Sequence, residues 1–384
     1  MRNSTACRCD KIRWKGRSAF RLSNGAIEVV VLLGGGHIAE LRQSGAATNA
    51  LWESPWETID PQTFQARTHA RRYGLPAVGK FLSGYTGHAL SLGYFGMPSA
   101  EEEKFGLPLH GEAASREWKV LRSECKPGSC RIKLHVEAPA YGLQFEREVR
   151  MLRGQNTAQI FESVHNLRNS DTHIQWVQHA TFGEPLLTPG ESIVALSGTQ
   201  ARTWPLGYEG KASLADDRNF RWPRAPKAGG GTADLSQPFR QDGTGLVASI
   251  LLNGDRKDGY VAALNWKLGL IAGYCFDRSH FPWLAMWEEN RARDYAPWNG
   301  ITRALGLEFG TSPMPLGLDQ AMAAGPMFGV PALIRIPANG ERSTSYTMFV
   351  ATTPPRWKKV RDVRRLKNGL MIEGPRTGDE LLLR

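Results

Sequence analysis

Three segments of the sequence place side chains suited to proton transfer within short apolar runs. His179 lies in WVQHATFGEP, Glu308 interrupts the apolar run of LGLEFGTSPMP, and His110 lies in LHGEAASREW. A carboxylate and an imidazole that face each other across a substrate can act as general base and general acid, and each works best when its pKa is tuned towards the working pH. The alternative for a lone histidine at a strand end is a structural ring satisfied by the backbone. The sequence therefore gives a candidate acid–base site, with His179 and Glu308 as its central pair.

An acid–base pair of this kind can open and reclose a sugar ring. The base takes the proton from the anomeric hydroxyl while the acid protonates the ring oxygen. Rotation about the C1–C2 bond of the open aldehyde, followed by the reverse proton transfers, then gives the other anomer. Because the reaction needs only proton transfers and a bond rotation in the open form, we expect neither a metal ion nor a cofactor.

The segments that hold these residues read as strands of an all-β protein. With 384 residues and 41% hydrophobic composition, the chain can build a large core. Its 41 glycines and 23 prolines fall between apolar runs such as AIEVVVLL, RIKLHVEAP and LVASILLN, which is typical of antiparallel strands joined by turns. Nothing separates two domains cleanly. We predict a single domain over residues 1–384, with its core at about 17–351 and a basic C-terminal appendix at 352–384.

The positive charge of the chain is concentrated near its C-terminus. Residues 356–367 (RWKKVRDVRRLK) hold seven Lys or Arg and one Asp, which gives +6 of the formal net charge of +11. This pattern predicts a solvated face or, alternatively, a docking patch for an acidic partner. No nucleic-acid-binding motif accompanies it, and the sequence has neither a signal-peptide pattern nor a run of 18 apolar residues. We therefore expect no nucleic-acid partner and no membrane association.

The cysteines favour a reduced compartment. Cys7, Cys9, Cys125, Cys130 and Cys275 are odd in number and lack zinc spacing, so we predict a cytoplasmic location. Cys125 and Cys130 flank a Pro-Gly turn, and they could pair across a hairpin if the protein met an oxidising compartment.

The order and surroundings of the three motifs resemble the aldose 1-epimerase (galactose mutarotase) family. That family combines an HG-containing segment, a strand ending in His before an aromatic residue and a turn, and a late strand with Glu before a Pro-containing loop. The counterparts here are His110-Gly111, QHATF around His179 and LGLEFGTSP around Glu308. The resemblance runs in order from about residue 25 to residue 351. It implies a galactose-mutarotase-like antiparallel β-sandwich (supersandwich) with a sugar cleft on one face, and a small-molecule sugar as the partner.

By this resemblance, Glu308 would be the base, His179 the acid, and His110 a residue that holds the substrate and could share the acid role. The family usually has His-x-Tyr-Phe-Asn at the acid histidine, whereas ATFG follows His179 here. Its Asp-His-x-Phe substrate loop and the arginine of its Gly-Arg-x-x-Asn segment have no clean match. These departures suggest a divergent branch, which could act on a modified or charged sugar.

Four further residues are candidate substrate contacts. Trp287 and Glu288 lie in FPWLAMWEENRARDYAPW. By the resemblance, this strand points side chains at the sugar, so Trp287 could stack and Glu288 could bind hydroxyls; the alternative is a buried Trp and a solvated Glu. Arg71 and Arg72 are candidates for the missing arginine, with solvated side chains as the alternative.

Two other functions remain open. A glycoside hydrolase needs two carboxylates that flank the scissile bond, ~5–5.5 Å or ~6.5–9.5 Å apart, and Glu288 or Glu289 could form such a pair with Glu308. A non-catalytic carbohydrate-binding protein could use the same fold. Release of a reducing sugar would indicate the hydrolase, and sugar affinity without anomer exchange would indicate the binding protein.

Overall fold

The computed structural model describes residues 6–384, and most of its regular structure is antiparallel strand, as the sequence predicts. The first part of the chain contains the strands β1 (Arg8–Trp14), β2 (Arg17–Ser23), β3 (Ile27–Leu32), β4 (Ile38–Gln43), β5 (His88–Gly93), β6 (Lys119–Lys126), β7 (Ser129–Ala138), β8 (Leu143–Leu152), β9 (Thr157–Asn166) and β10 (Thr172–Phe182). The middle part contains β11 (Ser192–Leu196), β12 (Gly198–Thr203), β13 (Asn219–Arg221), β14 (Arg224–Pro226), β15 (Thr232–Asp234), β16 (Thr244–Leu252), β17 (Asp258–Asn265), β18 (Leu270–Asp277), β19 (Trp283–Asn290) and β20 (Arg303–Gly310). The last part contains β21 (Ile334–Ile336), β22 (Glu341–Thr352), β23 (Asp362–Leu366), β24 (Gly369–Glu373) and β25 (Glu380–Leu383).

Short helices occupy some of the connections. They are α1 (Ala66–Tyr73), α2 (Pro76–Leu82), α3 (Ala100–Lys104) and α4 (Leu318–Ala324). The first two lie in the long connection between β4 and β5. None of the helices among residues 6–384 is long and apolar enough to cross a membrane.

The strands form two large sheets and one small sheet. The larger sheet has 14 strands, in the order β1-β2-β3-β4-β5-β10-β20-β19-β16-β12-β13-β14-β15, with β21 paired to β10 off this path. The second sheet has eight strands, in the order β11-β17-β18-β22-β9-β8-β7-β6, and β23, β24 and β25 form the third. The two large sheets pack face to face as an antiparallel β-sandwich, with the main hydrophobic core between them.

Alternation along the strands decides which side chains enter this core. On β7, for example, Ile132, Leu134 and Val136 are buried while the residues between them are partly exposed, which is the period of two expected for a sheet with one solvated face. The central strands β10 and β20 are buried along almost their whole length. Their second face is covered by side chains from the β4–β5 connection and by Trp298.

A buried ion pair lies inside the sandwich. Arg147 donates from Nε to Glu162 Oε1 at 2.7 Å, and both side chains are fully buried. Gln178 and Tyr346 complete the polar contacts of Glu162, at 2.6 and 2.8 Å, and Arg147 also donates to the backbone oxygen of Gly36 at 3.0 Å. Because both charged groups are paired and hydrogen-bonded, the interior tolerates them.

The basic C-terminal segment folds against the second sheet. Trp357, Val363 and Ile372 share a hydrophobic cluster with Tyr260 and Phe349 of that sheet. Several of the nearby cations have carboxylate partners, including the pairs Arg256–Asp362, Arg361–Glu373 and Arg365–Asp258. This packing supports our proposal that residues 352–384 belong to one domain with the rest of the chain.

Candidate functional site

The pair His179–Glu308 is formed by two neighbouring strands of the larger sheet. On β10, Trp176, Ala180 and Phe182 face the core between the sheets, so alternation sends His179 to the opposite face. The pairing of β10 with β20 continues on both sides of His179 in one register, through Gln178↔Phe309 and Thr181↔Gly306. Glu308 therefore lies directly across from His179, and His179 Nε2 is 3.2 Å from Glu308 Oε1.

Both side chains of the pair are deeply buried. His179 is 4% exposed and Glu308 is 2% exposed. Despite the short distance to His179, Glu308 Oε1 makes no hydrogen bond of acceptable geometry. Burial raises the pKa of Glu308 well above its ordinary range and lowers the pKa of His179, because a low-dielectric environment disfavours both charged forms. The carboxyl group thus offers an unused polar oxygen to a ligand.

The second nitrogen of His179 is held by a tyrosine that no motif identifies. Tyr85 Oη lies 3.2 Å from His179 Nδ1 and 2.6 Å from Thr181 Oγ1, and Thr181 Oγ1 is itself 3.3 Å from His179 Nδ1. Tyr85 follows α2 and is fully buried. Since its hydroxyl contacts Nδ1, it can fix the tautomer of the ring and so decide whether Nε2 donates or accepts.

His110 is the second imidazole of the site. Its ring centroid lies 4.8 Å from that of His179, and its ring stacks on Phe95 at 5.4 Å. His110 Nδ1 accepts a hydrogen bond from the backbone N–H of Gly96 at 3.2 Å, so in the neutral ring the proton is on Nε2. Burial lowers the pKa of His110. The next residue must be glycine, because Gly111 has φ 84° and a Cβ there would collide with the backbone oxygen of Leu92.

Aromatic side chains enclose the acid–base pair. Tyr85 and Trp287 meet the His179 ring with centroid separations of 5.4 and 6.1 Å. Phe81 of α2 lies over both histidines, 4.9 Å from His110 and 6.0 Å from His179.

Further out, the indoles form a chain of edge contacts, with Trp287–Trp298 at 5.8 Å, Trp56–Trp298 at 5.1 Å and Trp52–Trp56 at 5.5 Å. The predicted sugar cleft is thus a closed aromatic site in this conformation.

The structure separates the two candidates on β19. Trp287 pairs with Gly306 and Ala285 pairs with Glu308, which places Trp287 on the face of the acid–base pair. Glu288 points to the other face, where its Oε2 accepts from the backbone N–H of Phe239 at 2.8 Å. Burial raises the pKa of Glu288 to about 7.

Arg71 and Arg72 lie on the exposed side of α1. Arg72 pairs with Glu57 at 2.9 Å. The structure therefore brings together His110, His179, Glu308 and Trp287, whereas Glu288, Arg71 and Arg72 lie apart from them. A sugar-binding role for these three residues stays a prediction.

Comparison with solved structures identifies the fold. A candidate aldose 1-epimerase from Klebsiella pneumoniae is 14% identical, with a TM-score of 0.60, over 88% of this chain and 80% of its own. A galactose mutarotase-like protein from Clostridium acetobutylicum is 13% identical, with a TM-score of 0.60, over 91% and 100%. A candidate aldose 1-epimerase from Escherichia coli K12 is 14% identical, with a TM-score of 0.58, over 88% and 100%. The predicted galactose-mutarotase-like β-sandwich is confirmed.

Two sequence comparisons, one with family models and one with curated proteins, bear on the family of the chain. No curated protein matches the chain. Residues 15–313 match the family described as "Domain of unknown function (DUF4432)". Because this match spans most of the sequence, the chain belongs to the DUF4432 family.

Proposed function

We propose that the protein interconverts the α and β anomers of an aldose, as an aldose 1-epimerase (mutarotase)-type isomerase. The observation that carries the proposal is the contact between His179 Nε2 and Glu308 Oε1 at 3.2 Å, in a buried site where that oxygen lacks a hydrogen-bond partner. An anomeric hydroxyl can supply the missing hydrogen bond. The fold of the solved neighbours, two of which are candidate aldose 1-epimerases, agrees with this chemistry.

In the proposed mechanism, the two side chains share one proton. Burial favours the neutral pair, a protonated Glu308 and a neutral His179 whose Nδ1–H donates to Tyr85. A small side-chain rotation that aligns the two groups across their 3.2 Å contact lets the carboxyl proton pass to Nε2, which gives a carboxylate and an imidazolium. The carboxylate then takes the proton of the anomeric hydroxyl while the imidazolium protonates the ring oxygen, and the reverse transfers close the ring on the other anomer. His110, through Nε2–H, would hold a sugar oxygen.

Substrate entry requires the aromatic cover to open. Phe81, near the end of α2, lies over both histidines, whereas Tyr85, just after the helix, stays bonded to His179 Nδ1. Displacing α2 would uncover the pair, and Trp287, which is only partly buried, would then offer a flat apolar face to a pyranose ring. Arg293, which stacks on Trp298 of this aromatic wall, is already paired with Glu289 and Glu209. These contacts favour a neutral sugar over a charged one.

The alternative functions receive less support from the geometry. Glu289 is paired with Ala304, four residues from Glu308 along β20, which corresponds to roughly 13 Å of strand and exceeds the carboxylate spacing of glycoside hydrolases. Glu288 faces the other side of the sheet. A non-catalytic sugar-binding protein would use the same site and would differ from the isomerase only in lacking turnover. Only an activity measurement distinguishes these two functions. The cytoplasmic location expected from the cysteines remains part of the proposal.

The deciding experiment is anomer exchange measured by NMR. The purified protein is mixed with neutral, uronic and phosphorylated aldoses, and saturation transfer between the α and β anomeric protons is recorded. We expect exchange above the buffer rate for at least one neutral aldose. Line broadening without exchange across the panel would instead support the sugar-binding protein, and release of a reducing sugar from glycosides would support the hydrolase.

We predict a broad, two-sided pH dependence for this exchange. Because the pKa of Glu308 is raised and that of His179 is lowered, the pair keeps one shared proton across neutral pH. The exchange rate should fall at low pH, where His179 becomes an imidazolium while Glu308 is still protonated. It should also fall at high pH, where Glu308 loses its proton and the pair has none left to donate. A single acidic limb near the ordinary glutamate pKa would contradict the shared-proton mechanism.

Tyr85→Phe is expected to slow exchange by roughly ten- to a hundredfold, because a hydrogen bond to a charged group contributes about 1.5–3 kcal/mol. The variant removes one acceptor of the imidazolium Nδ1–H, leaves Thr181 Oγ1 at 3.3 Å from that nitrogen, and keeps the ring that packs on His179. It should also move the acid limb of the pH profile to lower pH, which a loss of packing alone would not do. Tyr295→Phe is the matched control, since that hydroxyl contacts Glu209 at an exposed position. An unchanged rate and profile in Tyr85→Phe would remove Tyr85 from the mechanism.

A further inference from the structure

Four of the five cysteines meet where the edges of the two large sheets come together. Strand β1, the edge strand of the larger sheet, carries Cys7 just before it and Cys9 within it. The hairpin of β6 and β7, at the edge of the second sheet, carries Cys125 and Cys130. β1 contacts both strands of this hairpin. We call this group the edge thiols; all four are free.

The edge thiols contact one another in pairs. Cys125 and Cys130 are directly opposed across the hairpin. The Cys7 thiol neighbours that of Cys130, and the Cys9 thiol neighbours that of Cys125. No group of three or more potential metal ligands is assembled anywhere in residues 6–384, so the geometry is that of thiol pairs rather than of a metal cage.

Cys9 and Cys125 form the pair that solvent can reach. Cys125 is exposed and Cys9 is partly exposed, whereas Cys7 and Cys130 are buried. Ser123, two residues before Cys125 and on the same side of β6, donates from Oγ to Cys9 Sγ at 3.2 Å. This contact holds the Cys9 sulfur at the face of β6 on which Cys125 lies. An oxidant in solution therefore reaches Cys125 more readily than the other edge thiols, and Cys9 is the neighbouring thiol on the same side.

We propose that Cys9 and Cys125 are an oxidative modification site and form a disulfide when the protein meets a two-electron oxidant such as hydrogen peroxide. Peroxide oxidises the Cys125 thiolate to a sulfenic acid and is itself reduced, giving one water once the thiol proton is counted. The Cys9 thiolate then attacks the Cys125 sulfur, the S–S bond forms, and hydroxide leaves to take up the Cys9 proton as a second water. Two thiols and one peroxide thus give one disulfide and two waters. The new bond joins the edge strands of the two sheets covalently.

The reaction should be slow at neutral pH and faster in alkali. Burial raises the pKa of Cys9, and burial together with the neighbouring thiols raises that of Cys125 to about 11. Since the thiolate is the reactive form, only a small fraction of either thiol reacts at neutral pH.

The test is peptide mapping of the full chain after peroxide treatment. Native protein is oxidised at neutral and alkaline pH, blocked with iodoacetamide, and digested without reduction. We expect the peptide with Cys9 to be linked to the peptide with Cys125, Cys275 to remain a free thiol in the core, and the thermal midpoint to rise by roughly 5 °C and return on reduction. Because the peptide map is made on the unaltered protein, this test does not require any variant to fold.

Variants then separate the possible pairs. Cys9→Ser and Cys125→Ser should each lose the oxidation-dependent rise in thermal midpoint, while the double variant Cys7→Ser/Cys130→Ser should keep it. A Cys125–Cys130 or Cys7–Cys130 link as the main product would overturn the proposal. So would sulfinic acid without any link, or protection of all four thiols by one bound zinc ion per chain.

Discussion

Replacing Glu308 with glutamine is expected to reduce anomer exchange by roughly 10²–10⁴-fold, the usual contribution of a general acid or base. Glutamine keeps the shape of the side chain but cannot exchange a proton with His179 across the 3.2 Å contact. The carboxyl group is fully buried without a hydrogen-bonded charge partner. The amide should therefore be accepted without loss of stability, and the measurement is the NMR exchange rate at saturating sugar.

The control for this experiment is Glu137→Gln. Glu137 is exposed on β7, far along the chain from the site, and the same chemical change there should leave the rate unaltered. Binding of the sugar to the Glu308→Gln protein should persist, because the aromatic walls are intact. Full activity in that variant, with its folding confirmed by circular dichroism, would remove Glu308 from the mechanism.

Replacing Arg147 with methionine is expected to lower the free energy of unfolding by about 3–5 kcal/mol, since it leaves Glu162 as an uncompensated buried charge. Arg147 and Glu162 are both fully buried, and Arg147 has further partners in Gly36 and Gln178. Methionine fills part of the same volume without a charge. Urea unfolding, followed by circular dichroism, measures the loss.

The matched comparison is the double variant Arg147→Met/Glu162→Gln. Because it removes both charges, it should recover most of the stability lost in the single variant. Equal losses in the single and double variants would show that the volume and hydrogen bonds of Arg147, and not its pairing with Glu162, stabilise the sandwich.

The sequence identifies the central pair but not its surroundings. His179 and Glu308 were recognisable because each is a titratable residue in an apolar strand, and the HG step at His110 is explained by the left-handed backbone of Gly111. Tyr85 had no such signal, because it is one of several tyrosines and reaches His179 only through the path of the β4–β5 connection.

Alternation along β19 contained a signal for Glu288. Trp287 and Glu288 are consecutive residues of one strand, so they must point to opposite faces of the sheet. If Trp287 faces the site, Glu288 faces away, as the contact with Phe239 shows. Arg71 and Arg72 differ, because only the formation of α1 determines the side on which they lie.

By itself, the sequence determined the all-β class, because the alternation of apolar and polar residues and the spacing of turns are local properties. Only the tertiary structure decided that His179 lies across from Glu308, that aromatic side chains close the site, and that Cys9 meets Cys125. Strand neighbours far apart in sequence are chosen by the packing of the whole sandwich, which no local pattern encodes. The altered pKa values of the pair follow from the same packing, since burial, and not residue type, raises one and lowers the other.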